Sequence, residues 1–370
     1  MTNSIDDLGQ SDCYLITGTN TTENHPVIAT FIKRAVTQKG AKLILVDPRN
    51  IDLAKYATIW LRQKPGSDIA WLNGMMNVII SEGLADDKFI AERTENFDAL
   101  KETVSKYTPE YVEELSGIPA EDLKAAARMY AGASAAAIVY AMGITQHITG
   151  TDNVKSCANL AMLTGNIGRP GTGVNPLRGQ NNVQGACDMA CLPGNLPAYK
   201  KVGEAADRKP FEEAWGVTLP EKPGLTIPKI LEGASEGTLK ALYVMGENPM
   251  MSDPDISHVE KALKNLDLLV VQDIFLNETS EVADVVLPTA SWAEKDGTYT
   301  NTERRVQLIR TAVGAPGQAR PDWEVITMLA NKLDAGWKYE NAWDILAEIN
   351  KVTASYGGIT YERLLENSLQ

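Results

Sequence analysis

The stretch Cys13-Tyr-Leu-Ile-Thr-Gly18 decides the fold of this chain, because it is a short apolar run that stops at a glycine. A polar loop follows, His25-Pro26 suits the first turn of a helix, and helical periodicity continues to Lys39. A second apolar run, residues 41–46, is closed by Asp47. The order of strand, glycine loop, helix, strand and aspartate predicts the start of a parallel sheet with helical crossovers.

The same order recurs in the second half of the chain. An apolar run over residues 239–245 ends at Gly246, and a run over 266–271 is followed by Asp273. Gly18 and Asp47 are 29 residues apart, Gly246 and Asp273 are 27 apart, and an alanine stands 10 residues after each aspartate. This spacing predicts an α/β fold of two Rossmann-like parallel-sheet units related by a pseudo-twofold repeat. Each unit would hold a nucleotide at the carboxyl ends of its strands.

The sequences of the two glycine loops argue against two common nucleotides. Neither loop matches the Gly-x-Gly-x-x-Gly or the Gly-Lys-Ser/Thr phosphate-binding pattern, so NAD and ATP are poorly supported. An aspartate at a strand end often only caps the next helix, and for Asp47 or Asp273 alone that alternative stays open.

The length of the chain and the change in its local composition predict three segments. The chain has 370 residues, and near residues 178–194 the sequence changes to Gly, Pro and Asn with little periodicity, while regular structure resumes near residue 239. We predict a first dinucleotide-binding domain over 1–180, a second unit over 181–291, and a mixed C-terminal segment over 292–370 that packs on the others.

Composition excludes several classes of function. The net charge is −13, and no Lys/Arg cluster with interleaved aromatic residues occurs, so we expect no nucleic-acid partner. The longest apolar stretch, 131–144, is too short for a membrane span, and the absence of a signal-like start favours the cytoplasm. The four cysteines lack the paired spacing of metal sites, and the three histidines are expected to be structural, so no metal ligand is predicted.

Between the halves lies a run of amides and glycines, Asn175-Pro-Leu-Arg178-Gly179-Gln180-Asn181-Asn182-Val-Gln-Gly-Ala-Cys-Asp-Met189. Arg178 is a fixed cation flanked by flexible backbone, which suits a carboxylate or phosphate held by both arms of the guanidinium. A structural arginine paired with an aspartate is the alternative, and the residues alone leave it open.

This run closely resembles the catalytic (alpha) subunit of molybdenum- or tungsten-dependent formate dehydrogenases, within the molybdopterin oxidoreductase family. The resemblance also rests on Gly18-Thr-Asn-Thr-Thr-Glu-Asn-His-Pro26, Asp47-Pro-Arg49, Met142-Gly-Ile-Thr-Gln146, Gly246-Glu-Asn-Pro249 and Gln272-Asp-Ile-Phe275. It implies bis-molybdopterin guanine dinucleotide with Mo or W as the cofactor, with one dinucleotide in each unit.

The resemblance also implies the roles of individual residues. Arg178 would be catalytic and clamp the carboxylate of formate, which is oxidised to carbon dioxide while two electrons leave toward partner subunits with iron–sulfur or flavin centres. Gly179 and Gln180 would lie near the pterins. The first dinucleotide would be held by Gly18, Asn20, Glu23, Asn24, Asp47, Arg49, Gly66, Ser67 and Asp68. The second would be held by Met142, Gly143, Gln146, Gly246, Glu247, Pro249, Gln272, Asp273, Ser291, Glu294 and Asp322.

The sequence also departs from the family pattern. Family members carry a Cys-rich iron–sulfur segment and then a Cys or selenocysteine metal ligand beside a histidine, and the layout places both before Met1 and a capping domain after Gln370. We therefore expect a central fragment of a longer subunit, inactive alone. Two alternatives stay open, a non-catalytic scaffold subunit of an electron-transfer complex and a sensor that binds a free guanine nucleotide.

Overall fold

The computed structural model describes residues 1–366 and divides the chain into two compact units. The first comprises Met1–Val183 with Thr302–Arg304, and the second comprises Gln184–Asn301 and the residues from Arg305 onward. The division lies three residues beyond the predicted boundary at 180. Apart from Thr302–Arg304, the segment predicted as 292–370 groups with the second unit, and its residues 367–370 lie outside the described residues.

A five-stranded parallel sheet forms the centre of the first unit. Its strands are β1 (Cys13–Thr17), β2 (Lys42–Val46), β3 (Ile59–Leu61), β4 (Ala136–Tyr140) and β5 (Gly173–Pro176). They lie in the order β3-β2-β1-β4-β5, and every neighbouring pair is parallel. Strands β1 and β4 are buried along their whole length, which explains their continuous apolar sequence.

Helices cover both faces of this sheet. They are α1 (Thr21–Asn24), α2 (Pro26–Lys39), α3 (Asp68–Ser81), α4 (Asp87–Arg93), α5 (Phe97–Ser105), α6 (Pro109–Ser116), α7 (Ala120–Ala131), α8 (Met142–Thr145) and α9 (Gly150–Leu163). Trp71 and Leu160 pack on the face that carries Leu15, whereas Ile28 and Ile32 pack on the opposite face. Because side chains alternate along a strand, each strand contributes to both cores.

The second unit contains the remaining elements of the described chain. Its helices are α10 (Val183–Asp188), which begins at the last residue of the first unit, α11 (Ala205–Trp215), α12 (Ile227–Glu236), α13 (Pro249–Ser252), α14 (Ile256–Lys264), α15 (Glu278–Glu281), α16 (Asp322–Lys332), α17 (Ala342–Val352) and α18 (Tyr361–Glu366). Its strands are β6 (Asn195–Leu196), β7 (Lys200–Lys201), β8 (Ala241–Met245), β9 (Leu268–Asp273), β10 (Val285–Pro288), β11 (Gly297–Thr300) and β12 (Val306–Ile309).

The structure confirms the predicted α/β fold with a parallel sheet in each unit. The second sheet has the order β10-β9-β8, with both pairs parallel, which matches β3-β2-β1 of the first. Gly18 and Gly246, which follow the first strands of the two sheets, both adopt left-handed backbone with φ of 59° and 64°. Among the described residues the likeness stops after three strands, because the second sheet has no counterparts of β4 and β5.

The prediction of little regular structure over residues 180–238 is wrong, because α10, α11 and α12 lie there. The signal was weak for physical reasons. Helix α11 contains Pro210, and the buried face of α12 includes the small residues Gly233 and Ala234 beside Leu231. Small residues pack closely but give little apolar periodicity.

No helix within residues 1–366 is long and apolar enough to cross a lipid bilayer.

Candidate functional site

The carboxyl ends of the five strands of the first unit place five residues along one edge of the sheet. In strand order these residues are Gln63 after β3, Asp47 after β2, Gly18 after β1, Gly143 after β4 and Arg178 after β5. The chain leaves β1 toward β2 on one side and reaches β4 on the other, which makes the β1/β4 boundary a topological switch point. Ligands of open α/β sheets bind at such a point, beyond the carboxyl ends of the strands.

Two glycines meet at this switch point. The backbone N–H of Gly143 donates a hydrogen bond of 3.0 Å to the carbonyl oxygen of Gly18. A Cβ atom on Gly143 would lie 2.5 Å from the Gly18 Cα, and a Cβ on Gly18 would lie 2.6 Å from the Gly143 carbonyl carbon. Neither position can therefore carry a side chain without a shift of the backbone, and the two loops approach each other closely at the switch point.

A cavity of about 320 Å³ opens beside these loops. That volume is within the range of small-molecule binding sites. The cavity is lined by Gly18, Thr19, Asn20, Asn24, Asp47, Pro48, Arg49, Gln63, Pro65, Gly66, Asp68, Ala141, Met142, Gly143 and His147.

Three oxygen atoms on residues of this wall have no hydrogen-bond partner among residues 1–366. Asn20 Oδ1 and Gln63 Oε1 are buried and unpaired. The Asp47 side chain is 5% exposed, and while its Oδ1 accepts from the backbone N–H of Arg49 at 2.8 Å, its Oδ2 has no partner in the described chain. Because a buried polar group without a partner is costly, Asn20 Oδ1 and Gln63 Oε1 fit a ligand that presents N–H or O–H donors, and Asp47 Oδ2 is a further acceptor on the same wall. The base and ribose of a guanine nucleotide supply such donors.

Gln63 and His147 line the cavity, although neither was predicted to be a site residue. Gln63 lies two residues beyond β3, and its side chain is among the groups that oppose the rise in the pKa of Asp68. His147 Nε2 lies 2.9 Å from the carbonyl oxygen of Gly143 and 3.8 Å from Asp68 Oδ2. The available signal for Gln63 was its position at the carboxyl end of a strand, which is the signal that identified Asp47.

Burial controls the electrostatics of this cavity. It raises the pKa of Asp47 above its ordinary value, against the lowering effect of the Arg49 N–H and guanidinium. It also raises the pKa of Asp68, against the lowering effects of Trp71 and His147. Arg49 is exposed at the same wall, where its guanidinium suits a phosphate group. The cavity therefore offers buried acceptors inside and one cation on its surface.

We expect Asp47→Asn to stabilise the ligand-free protein at neutral pH. An acid whose pKa is raised by folding opposes folding above that pKa, and the opposition disappears as the pH falls toward the ordinary value of 3.8. The gain in melting temperature should thus be largest at neutral pH and shrink toward acid pH in thermal melts of both proteins. Glu92→Gln, which removes an exposed charge, is the control. A lower melting temperature for Asp47→Asn at neutral pH would contradict this account.

Most of the residues predicted to hold the first dinucleotide line the cavity of the first unit. Two residues predicted to hold the second dinucleotide line the same cavity. Glu23 and Ser67 do not line the cavity, and the Ser67 hydroxyl donates to the carbonyl oxygen of Lys64 at 2.7 Å. Met142 and Gly143, predicted for the second dinucleotide, instead line the cavity of the first unit, because β4 lies beside β1. Gln146 is exposed and outside the lining.

In the second unit, Gln272 and Asp322 form a hydrogen-bonded cluster. Gln272 is fully buried, and its Nε2 donates to Asp322 Oδ1 at 2.8 Å and to Thr289 Oγ1 at 3.3 Å. Its Oε1 accepts from the Tyr243 hydroxyl, and Asp322 Oδ2 accepts from Lys295. Both amide hydrogens and the carbonyl oxygen of Gln272 are thus engaged within the protein, which is the pattern of a structural residue.

Asp273 differs from Asp47 although the repeat aligns them. Its Oδ1 accepts from the backbone N–H of Ile274 at 2.6 Å, and its Oδ2 accepts from Asn277 Nδ2 at 3.0 Å. Asp273 therefore stabilises the turn that leads into α15, whose N-cap is Asn277 and not Asp273.

The other members of the second set follow β8 or β10. Ser291 and Glu294 satisfy each other's backbone in a capping box, and the Ser291 N–H donates to Glu294 Oε2 at 2.8 Å. Pro249 is buried at the start of α13, and Glu247 Oε1 lies 3.4 Å from the Ser252 hydroxyl. These residues lie at the carboxyl edge of the second sheet, and their contact with a dinucleotide stays a prediction.

Arg178 is half-buried two residues beyond β5, while Gly179 and Gln180 are exposed.

Cys13 and Cys157 are buried, and burial raises the pKa of each thiol to about 12. Within residues 1–366, no group of three or more His, Cys, Asp or Glu side chains is placed to hold a metal ion.

The chain is similar to several known proteins. The chain is 56% identical over 366 residues to the F420-dependent formate dehydrogenase 1 subunit alpha of Methanococcus maripaludis, a match that covers 98% of this chain and 54% of the relative. It is 42% identical to formate dehydrogenase H of Escherichia coli, over 99% of this chain and 51% of the relative. The chain thus spans about half the length of these curated relatives.

A solved structure has the same fold. The acetylene hydratase from Pelobacter acetylenicus superimposes with a TM-score of 0.77 at 25% sequence identity, over 99% of this chain and 52% of that one. The sequence profile of the family described as molybdopterin oxidoreductase matches residues 1–332, which include both sheets and every predicted site residue. The chain therefore belongs to the molybdopterin oxidoreductase family.

Proposed function

We propose that this chain binds molybdopterin guanine dinucleotide and forms part of the alpha subunit of a formate dehydrogenase. The observation that carries the first part is the cavity at the β1/β4 switch point, with its unpaired acceptors on Asn20, Gln63 and Asp47. An adenine base presents a different arrangement of donors and acceptors, so three clustered acceptors favour guanine. The 56% identity to formate dehydrogenase alpha subunits supports the second part.

In this proposal the residues of the first unit have distinct tasks. Asp47, Asn20 and Gln63 accept hydrogen bonds from the nucleoside, and Arg49 binds a phosphate at the exposed wall. Gly18 and Gly143 keep the floor of the site free of side chains. Arg178, at the carboxyl end of β5, holds the carboxylate of formate in the orientation needed for its oxidation to carbon dioxide. The bound pterin cofactor, with molybdenum or tungsten, supplies the two-electron chemistry, and partner subunits with iron–sulfur or flavin centres receive the electrons.

The residues at the second sheet would hold a second dinucleotide, although Gln272 and Asp273 have structural hydrogen bonds there. Their part in the proposal rests on the repeat and on family membership. We further propose that turnover requires the remainder of a subunit as long as those of the relatives, because the relatives are about twice as long as this chain.

Release of the bound nucleotide tests the proposal. We expect protein purified from cells that make the cofactor to yield, after acid hydrolysis, equal amounts of GMP and of a fluorescent oxidised pterin. Asp47→Asn should lower both, because its new N–H₂ group meets the donors of the base. Metal analysis of the same sample distinguishes molybdenum from tungsten. Release of AMP or CMP in place of GMP would contradict the dinucleotide assignment, and a loaded full-length enzyme without formate-dependent dye reduction would contradict the activity.

A further inference from the structure

The backbone N–H and the backbone carbonyl of Arg178 are both held by residues from outside its own loop. Its backbone N–H donates to Thr302 Oγ1 at 3.0 Å, and its carbonyl oxygen lies 2.7 Å from His25 Nε2. The Thr302 hydroxyl in turn donates to the carbonyl oxygen of Pro176 at 3.1 Å, so it bridges two positions of the same loop. The two peptide groups that flank the Arg178 Cα atom are therefore each held by a hydrogen bond.

The bond with His25 has a defined direction. A carbonyl oxygen can only accept, so Nε2 must carry the hydrogen, and His25 Nδ1 is buried without a hydrogen-bond partner in the part of the chain that the structure describes. The ring has no other hydrogen bond there. Its observed role is to hold the Arg178 carbonyl, which is more specific than the general structural role that the sequence indicated.

His25 also connects Arg178 to the first cavity. It lies between α1 and α2, directly after the loop whose residues Asn20 and Asn24 line the cavity. Its backbone N–H donates to the Thr21 carbonyl oxygen at 2.9 Å, and its own carbonyl accepts from Ala29, the fourth residue of α2. The ring is therefore anchored at one end by the cavity loop and by α2, and at the other by the Arg178 peptide.

We propose that His25 and Thr302 are positioning residues for Arg178, and that they couple the cavity loop to the formate clamp. The proposal rests on the proposed function of Arg178. The direction of a Cα–Cβ bond is set by the two peptide groups that flank the Cα atom, so holding both groups fixes the direction in which the Arg178 side chain leaves the backbone. Neither residue touches formate in this proposal, and each acts through Arg178.

Amide hydrogen exchange tests the backbone contacts without any cofactor. In Thr302→Val, which keeps the shape but loses the hydroxyl, we expect the Arg178 amide to exchange about tenfold faster, the loss of one hydrogen bond, in residue-resolved mass spectrometry. Thr302→Ser, which restores the hydroxyl, should restore slow exchange. Thr30→Val is the matched control, because the Thr30 hydroxyl donates only to the Pro26 carbonyl within α2.

Kinetics of the full-length, cofactor-loaded enzyme test the functional consequence. We expect Thr302→Val and His25→Phe each to raise the KM for formate about tenfold with a smaller change in kcat, since displaced binding groups lose orientation. His25→Gln should restore the KM, because the glutamine amide can donate to the same carbonyl. If Thr302→Val does not fold, the two His25 variants, His25→Phe and His25→Gln, still test the proposal.

Three results would overturn the proposal in distinguishable ways. If the KM for formate stays unchanged in Thr302→Val and His25→Phe while Arg178→Lys inactivates the enzyme, the positioning role is wrong and the proposed function stands. If Arg178→Lys leaves turnover intact, the clamp role of Arg178 fails, and the positioning role fails with it. If the unchanged full-length enzyme, loaded with cofactor, does not oxidise formate, the proposed function itself fails, whatever the exchange rate of the Arg178 amide.

Discussion

Replacing Arg178 by lysine is expected to lower kcat/KM for formate by about 10²–10³-fold, comparable to removing one preorganised donor from an active site. Lysine keeps the charge but loses the planar fork that holds a carboxylate through two parallel hydrogen bonds. The backbone N–H of residue 178 is held by Thr302 and its carbonyl oxygen by His25, so the substitution should leave the backbone in place. Cofactor content should therefore stay unchanged, and this separates lost substrate orientation from lost assembly.

The measurement is formate-dependent dye reduction, normalised to the pterin content of each preparation. Arg34→Lys is the matched control, because Arg34 is exposed on α2 of the same unit. Full turnover in Arg178→Lys at normal pterin content would contradict the role of Arg178 as the formate clamp, whereas the absence of formate-dependent dye reduction by the unchanged, cofactor-loaded full-length enzyme would favour the alternative of a non-catalytic scaffold.

Replacing Gly143 by alanine should have the largest effect on the first cavity. The added Cβ would lie 2.5 Å from the Gly18 Cα and 2.7 Å from its carbonyl oxygen, and backbone atoms cannot move aside as a flexible side chain can. We expect the free energy of unfolding to fall by about 1–3 kcal/mol, as in other overpacked sites. The displaced loops should also lower the content of GMP and pterin.

Gly9→Ala is the control for this substitution. A Cβ on Gly9 would lie 3.5 Å from the Phe31 Cδ1, which is an ordinary contact, so its stability and cofactor content should match those of the unchanged protein. Denaturant unfolding and the hydrolysis assay measure both quantities. If Gly143→Ala matched Gly9→Ala in both, the close approach of the two loops would not matter for the site.

The two aspartates of the repeat show why equal spacing does not mean equal function. Asp47 and Asp273 each follow the second strand of a parallel sheet, so the sequence treats them alike. Asp47 keeps one carboxylate oxygen without a partner in the described chain, whereas both oxygens of Asp273 are hydrogen-bonded within its own turn. That difference depends on an asparagine four residues after Asp273, which closes the turn.

The sequence by itself determined the parallel α/β units, the glycine turns and the residues at the strand ends, because apolar runs, glycines and polar termini are local signals. Only the tertiary structure decided which strand ends are neighbours. The placement of β4 beside β1 brought Met142 and Gly143 to the first cavity, and β3 brought Gln63. Strand order and the burial of single polar atoms depend on contacts between residues far apart in sequence, which no local pattern encodes.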